Sequence, residues 1–312
     1  MSVNRQCGRL LVLGLVLAAA ACGTAAAITI DDIVAPDAKP AVLGEGYGFC
    51  EGPTADAHGN VYFSDGKKDS IHFYEAGKPV VVFVNDSTDA NGQKFNAKGE
   101  LYTCEGAAYR VVAFDVKTKQ KRVLCSQIDG QHFNEPNDLT IDRQGGFYFT
   151  DPCYSHRGQK AVMKQDVYYC SPKGNVARVS TVCKQPNGIQ LSADEKTLYL
   201  ADCGGKLIYK YDVPAPGKLA NEQKFIDLGA NPDGMTLDAQ GNLFIACGGA
   251  GVKVYAPDGK PIGVIKVPYA SNVCFGGKDF KTLFITSGAR FLGIETKVVG
   301  LRPLPLRVKT EK

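Results

Sequence analysis

Apolar and polar positions alternate along this chain in short runs, and six of the runs share one layout. A polar residue opens the run, apolar positions alternate through it, a turn follows, and an aromatic or aliphatic strand re-enters. The openings are Glu51 in EGPTADAHGNVYFSD, Asn91 in NGQKFNAKGELYTC, Asn137 in NDLTIDRQGGFYFTD, Asn187 in NGIQLSADEKTLYLAD, Asp233 in DGMTLDAQGNLFIAC and Asn272 in NVCFGGKDFKTLFITS, at intervals of 40, 46, 50, 46 and 39 residues. Alternation with a period of two predicts half-buried strands, and no stretch beyond the amino-terminal segment carries a helical apolar period. Repeats of about 40 to 50 residues with several short strands each predict propeller blades, because a four-stranded sheet cannot bury both faces alone and must stack radially on its neighbours. The expected class is all-β, a six-bladed β-propeller in one domain over residues 28–312.

Blade one illustrates the unit: GPTAD, NVYFSD, SIHFYE and PVVVFV, with His58-Gly59-Asn60 and Ala76-Gly77-Lys78 as turns. The last unit has only three clear strands. The stretch Lys39 to Gly44, KPAVLG, is therefore expected to complete blade six as its outer strand and to cover an open sheet edge.

Each opening residue heads the strand nearest the propeller axis, so Glu51, Asn91, Asn137, Asn187, Asp233 and Asn272 are expected to converge on one ring of oxygen donors. Asn-Gly and Asp-Gly are ordinary turn dipeptides, but here they open strands instead of joining them. A ring with two carboxylates and several amide oxygens, lacking His and Cys, suits Ca²⁺ or another hard divalent cation; zinc would call for nitrogen or sulfur. The ends of the second strands supply a further set, Asp65, Cys104, Asp151, Asp202, Cys247 and Ser287, expected to form the wall just outside that ring.

Composition changes this picture little at the carboxyl end and more at the amino end. Arg5 and Arg9 precede an apolar run from Leu10 to Cys22, and Ala25-Ala26-Ala27 follows. Residues 1–27 are thus expected to be a signal peptide, shorter in its apolar part than the roughly 20 residues of a membrane span. Lipid anchoring at Cys22 is the weaker alternative, because Ala19 stands where a lipobox carries Leu. The expected location is periplasmic or secreted, with no membrane insertion after cleavage. Removing Arg5 and Arg9 lowers the formal charge from +4 to +2, and no basic cluster interleaves with aromatics, so nucleic acid is not an expected partner. Nine of the eleven cysteines follow residue 27. Export would permit disulfides among them, buried free thiols are the alternative, and no connectivity follows from the spacing.

The strings EGP at Glu51, FNEPND from Phe133, FTDP from Phe149, PNGI from Pro186, TLYLAD from Thr197 and PDGM from Pro232 resemble the SMP-30/gluconolactonase family of six-bladed calcium propellers, over Leu43 to Ser287. The resemblance implies Glu51, Asn187 and Asp233 as metal ligands, with Asn137 a fourth ligand or a substrate-binding amide. Asn91, Glu135 and Asp151 join Asn137 as candidate substrate contacts. Many sugar-lactone hydrolases of the family carry Arg where this chain has Glu135, a departure that weakens a specific substrate assignment.

The expected function is metal-assisted hydrolysis of a small lactone or ester, with Asp233 as the base that takes the proton of water and Glu51 holding the ion. Phosphotriester hydrolysis on the same ring, and a non-catalytic binding propeller with a structural calcium, are the alternatives. No GxSxG nucleophile elbow is present. Glu105, His132, His156 and Arg157 are weaker candidates, the histidines because loop histidines are commonly solvated. The oligomeric state is left open.

Overall fold

The computed structural model describes residues 1, 28–155, 158 and 160–303. The expected signal peptide from residue 2 to 27, with Cys22, and the loop residues His156 and Arg157 lie outside the described residues. Six four-stranded antiparallel sheets follow one another in chain order. Blade one is Cys50–Ala55, Val61–Asp65, Ser70–Tyr74 and Val81–Asn85; blade two is Ala90–Phe95, Glu100–Glu105, Arg110–Asp115 and Lys121–Cys125. Blade three is Leu139–Ile141, Phe147–Thr150, Val167–Cys170 and Val176–Ser180, and blade four is Pro186–Leu191, Thr197–Asp202, Leu207–Ala215 and Lys218–Asp227. Blade five is Met235–Leu237, Leu243–Ala246, Val252–Tyr255 and Pro261–Ile265. Blade six takes Asn272–Gly276, Thr282–Ser287 and Arg290–Glu295 from the end of the chain and Ala41–Glu45 from its beginning.

That last pairing closes the ring. Ala41 lies opposite Gly293 and Glu45 opposite Arg290, antiparallel, so the amino-terminal strand is the outer strand of blade six, one or two residues beyond the expected span. Without it the edge Arg290–Glu295 would expose its backbone donors and acceptors. Two small elements carry no readable period: the four-residue helix Ile30–Ile33 and the hairpin of Gln127–Ile128 with Gln131–His132.

The apolar core is six clusters, one between each pair of neighbouring blades. Tyr62, Ile71, Phe83, Phe95, Leu101 and Phe114 fill the gap between blades one and two. At the closure, Phe63 stacks on Phe291 with centroids 4.3 Å apart, and Phe291 stacks on Phe284 beside Cys50, Val61 and Tyr74. This is why alternate residues on every strand are apolar on both faces: each sheet has a neighbour on either side. All nine cysteines among the described residues are free thiols, six of them buried within these clusters. The packed-thiol alternative is the one the structure shows, and no disulfide is present among the described residues.

The second set of positions does something other than wall the axis. Asp65 accepts from the backbone N–H groups of Gly48 at 2.8 Å and Phe49 at 3.0 Å. Asp151 accepts from Asn134 N at 2.8 Å. Asp202 accepts from Lys184 N at 3.1 Å and Gln185 N at 3.0 Å. In each case the carboxylate ties down the two or three residues just before an opening residue. Of the six positions only Cys247 reaches the axial cavity, so the expected outer wall is corrected to a set of clamps on the entry segments. Their removal strands backbone donors that are partly buried at Asp65 and Asp202 and buried at Asp151, and an unpaired buried donor costs about 1–3 kcal/mol. Replacing Asp202 by Ala should therefore lower the unfolding free energy by about 2 kcal/mol or more, and Asp202→Asn by less, since one acceptor remains. Urea unfolding measures both, and an unshifted midpoint in Asp202→Ala would reject the clamp.

Candidate active site

The entry segments deliver five of the six opening residues, Glu51, Asn91, Asn137, Asn187 and Asp233, to the lining of a cavity of about 1080 Å³ at one end of the axis. Their approach is close enough to decide the residue that follows. A Cβ on Gly92 would lie 2.4 Å from Asp138 Oδ1, and one on Gly234 would lie 1.9 Å from the Asn272 side chain. The Asn-Gly and Asp-Gly pairs are thus contacts between adjacent blades at the narrowest part of the ring. Blade three breaks the pattern. Its opening Asn137 is followed by Asp138, whose side chain stands against Gly92 of blade two and is buried.

Asn272, the sixth opening, does not line the cavity. Its Nδ2 donates to Glu51 Oε2 at 3.0 Å, and its Oδ1 accepts from Val273 N at 2.8 Å. Glu51 Oε2 also accepts from Gly52 N at 2.8 Å. Glu51 and Asp138 are 6% and 5% exposed, respectively, and Asp233 is open to the cavity on one side only. Burial pushes the Glu51 carboxyl up to about 7, aided by the Asp138 charge and opposed by the Gly52 and Asn272 bonds. Burial likewise raises Asp138 to about 6, against the pull of Lys94. Asp233 is raised well above the ordinary carboxylate range, first by burial and then by the charges of Glu51 and Asp138. Three like charges crowd one axis.

Such a set calls for a cation. Among the described residues no three His, Cys, Asp or Glu side chains converge in metal-holding geometry, but amide oxygens complete a hard donor set here. Glu51, Asn137, Asn187 and Asp233 share the cavity lining, offer oxygen only, and carry charge that the protein leaves largely uncompensated. They fit a hard divalent ion.

The remaining wall was not legible in the sequence. Tyr154 lines the cavity, and its hydroxyl accepts from Asn187 Nδ2 at 2.7 Å; burial and then the Asp233 charge keep this phenol protonated. Phe49 and Tyr269 meet edge to face with centroids 6.2 Å apart, and the Lys67 ammonium stands 5.9 Å from the Phe49 ring. Cys203 and Cys247 complete the side nearest Asp233.

The other candidates lie elsewhere. Glu135 is buried outside the lining, and its carboxylate accepts from the backbone N–H groups of Tyr154 and Ser155. Its place in the structure is under the segment that carries Tyr154. Asp151 is fully buried behind Asn134, with Oδ1 lacking a partner and its pKa raised to about 8 by burial first. Glu105 is buried between Arg110, 2.6 Å away, and Lys121. His132 packs on Tyr109 with centroids 4.5 Å apart, away from the cavity. Asp138 is the residue that carried a usable signal, since an acidic residue there replaces the glycine that follows four of the other openings.

The chain is similar to known proteins over most of its length. A gluconolactonase of Zymomonas mobilis is 31% identical over 285 residues, covering 81% of this chain and 80% of the relative. A regucalcin of Danio rerio is 27% identical, covering 66% and 70%. The solved structure of a gluconolactonase from Xanthomonas campestris superposes with a TM-score of 0.80 at 27% identity, over 86% of this chain and 94% of that one. The family model for the SMP-30/Gluconolactonase/LRE-like region matches residues 49–289. Fold and sequence agree, and the chain belongs to the SMP-30/gluconolactonase/LRE-like family.

Proposed function

We propose that this chain is a calcium-dependent hydrolase of a small lactone. The observation that carries the proposal is the convergence of Glu51, Asn137, Asn187 and Asp233 on one cavity of about 1080 Å³, in a chain whose relatives bear the names gluconolactonase and lactonase. A cavity of that size accepts a sugar-sized ring together with water.

Glu51, Asn137, Asn187 and Asp233 would hold the ion. A bound divalent cation polarises an ester carbonyl and stabilises the negative charge that grows on its oxygen during attack. Asp233 opens to the cavity and takes the proton from the attacking water on a carboxylate oxygen. Glu51, fixed by Gly52 N and Asn272 Nδ2, serves the ion and not the substrate. Asn91 and Asn137 present amides to substrate hydroxyls. Tyr154 steadies the Asn187 amide through its hydroxyl, and Glu135 steadies Tyr154 through the backbone. Phe49 and Tyr269 cover the apolar face of the ring.

The activity is tested by release of acid from a panel of lactones and phosphotriesters, with calcium and with EGTA. The expected outcome is turnover of a lactone that EGTA abolishes; turnover of phosphotriesters alone, or of nothing, would reject the proposal. The ligand assignment is tested by Glu51→Gln, which keeps shape and removes charge. Calorimetry should show calcium affinity falling about tenfold or more, and calcium should raise the melting temperature of the wild type by mass action. Equal affinity in the variant would remove Glu51 from the ligand set.

Asp233→Asn separates holding the ion from accepting the proton. The amide still offers an oxygen, so calcium binds more weakly, but no base remains. At saturating calcium, turnover of the best lactone should fall by about 10² or more if general-base catalysis contributes its usual 10² to 10⁴. Turnover close to wild type under those conditions would assign the base elsewhere.

A further inference from the structure

The axial channel continues beyond the carboxylates. Thr54, Lys94, Thr140, Gln190, Thr236 and Cys274 line a second cavity of about 130 Å³ farther along the inner strands. All but Cys274 stand three residues after an opening. In blades one, two and four the register shifts between the two positions, and an added residue there returns the side chain to the axis. Four of the six side chains are neutral hydroxyls or amides, and one is a thiol.

Lys94 is the exception. It is half-buried and forms no ion pair among the described residues. Its charge acts on Asp138, where it lowers a carboxyl that burial raises, and on Cys274. Two other cations line this cavity but are engaged away from the axis: Arg143 donates to Ala193 O and faces Glu195, and Arg302 lies over the Phe280 ring, 4.7 Å from its centroid.

We infer that Lys94, two residues along the inner strand from the Gly92 against which Asp138 stands, is the counter-charge of the axial site, leaving Glu51, Asp138 and Asp233 together with a net charge of two negative when ionised, the amount one divalent cation neutralises. This rests on the metal reading above. Its consequence is selectivity by charge. A fixed ammonium in a poorly screened channel repels any incoming ion in proportion to that ion's charge, so it acts half again as strongly on a trivalent ion as on a divalent one. Removing it should tighten both and favour the trivalent.

The test uses the full chain and its Lys94→Met and Lys94→Arg variants, freed of metal by chelation and titrated with Ca²⁺ and with Tb³⁺. Terbium is read by luminescence sensitised through tyrosine; the chain has no Trp and 14 Tyr, of which Tyr154 and Tyr269 line the cavity. Lys94→Met should raise the Tb³⁺ to Ca²⁺ affinity ratio about tenfold or more, Lys94→Arg should leave it within about twofold, and metal-free Lys94→Met should melt below the wild type. Lys94→Gln serves if the Met variant does not fold. An unchanged ratio, with wild-type calcium binding intact, overturns the counter-charge role and leaves the metal reading standing. A wild type that binds neither ion overturns the metal reading. In that case a lower metal-free melting temperature in Lys94→Met, restored by Lys94→Arg, sustains the counter-charge role, and an unchanged one overturns it.

Discussion

The crowding of like charge on the propeller axis is the constraint around which the rest of the molecule is arranged. Glu51, Asp138 and Asp233 are brought within electrostatic reach of one another, with much of their surface buried. Bare carboxylates avoid such a place unless the surrounding structure is held firmly. Here the hold comes from outside the axis, in the six apolar clusters between blades. Closure of blade six by Ala41–Glu45 completes the last of those interfaces, so the amino-terminal strand and the axial charges belong to one mechanical circuit. The ring brings the carboxylates together, and the ring stays closed because its outer edge is covered.

Acidic residues show how one side chain acquires different work from its surroundings. Asp65, Asp151 and Asp202 face backbone N–H groups and fasten the entry segments. Glu135 faces the N–H groups of Tyr154 and Ser155 and sets the height of an aromatic wall. Glu105 faces two cations and is neutralised where it stands. Glu51 and Asp233 face the cavity with their charge incompletely met. Their place in the cavity lining distinguishes them from Asp151, whose Oδ1 is also unpartnered but lies outside it.

The axis is graded along its length. At the cavity end it carries carboxylates and amides; beyond Asp138 it turns to hydroxyls, an amide, a thiol and one ammonium. A hard cation and small polar ligands are therefore favoured at one end only. Family membership accounts for the six-bladed scaffold, and the wall of Phe49, Lys67, Tyr154 and Tyr269 is less regular than the ring of opening residues.

Strand period, turn residues and the register of the opening residues determine the class, the blade count and the closing strand, because these depend on local backbone preference and on which face of a strand is apolar. They also place five of the six openings at one cavity, since equivalent positions in a radial repeat meet at the axis. Tertiary structure alone decided which side chain meets which. Asn272 turns to Glu51, Asp138 fills the gap left by Gly92, and the second-strand aspartates reach back to the backbone. A period of two specifies a face but not the distance to the next blade. Whether a carboxylate on that face finds an N–H, an ammonium or open cavity is settled within an ångström or two, by the packing of sheets far apart in the chain.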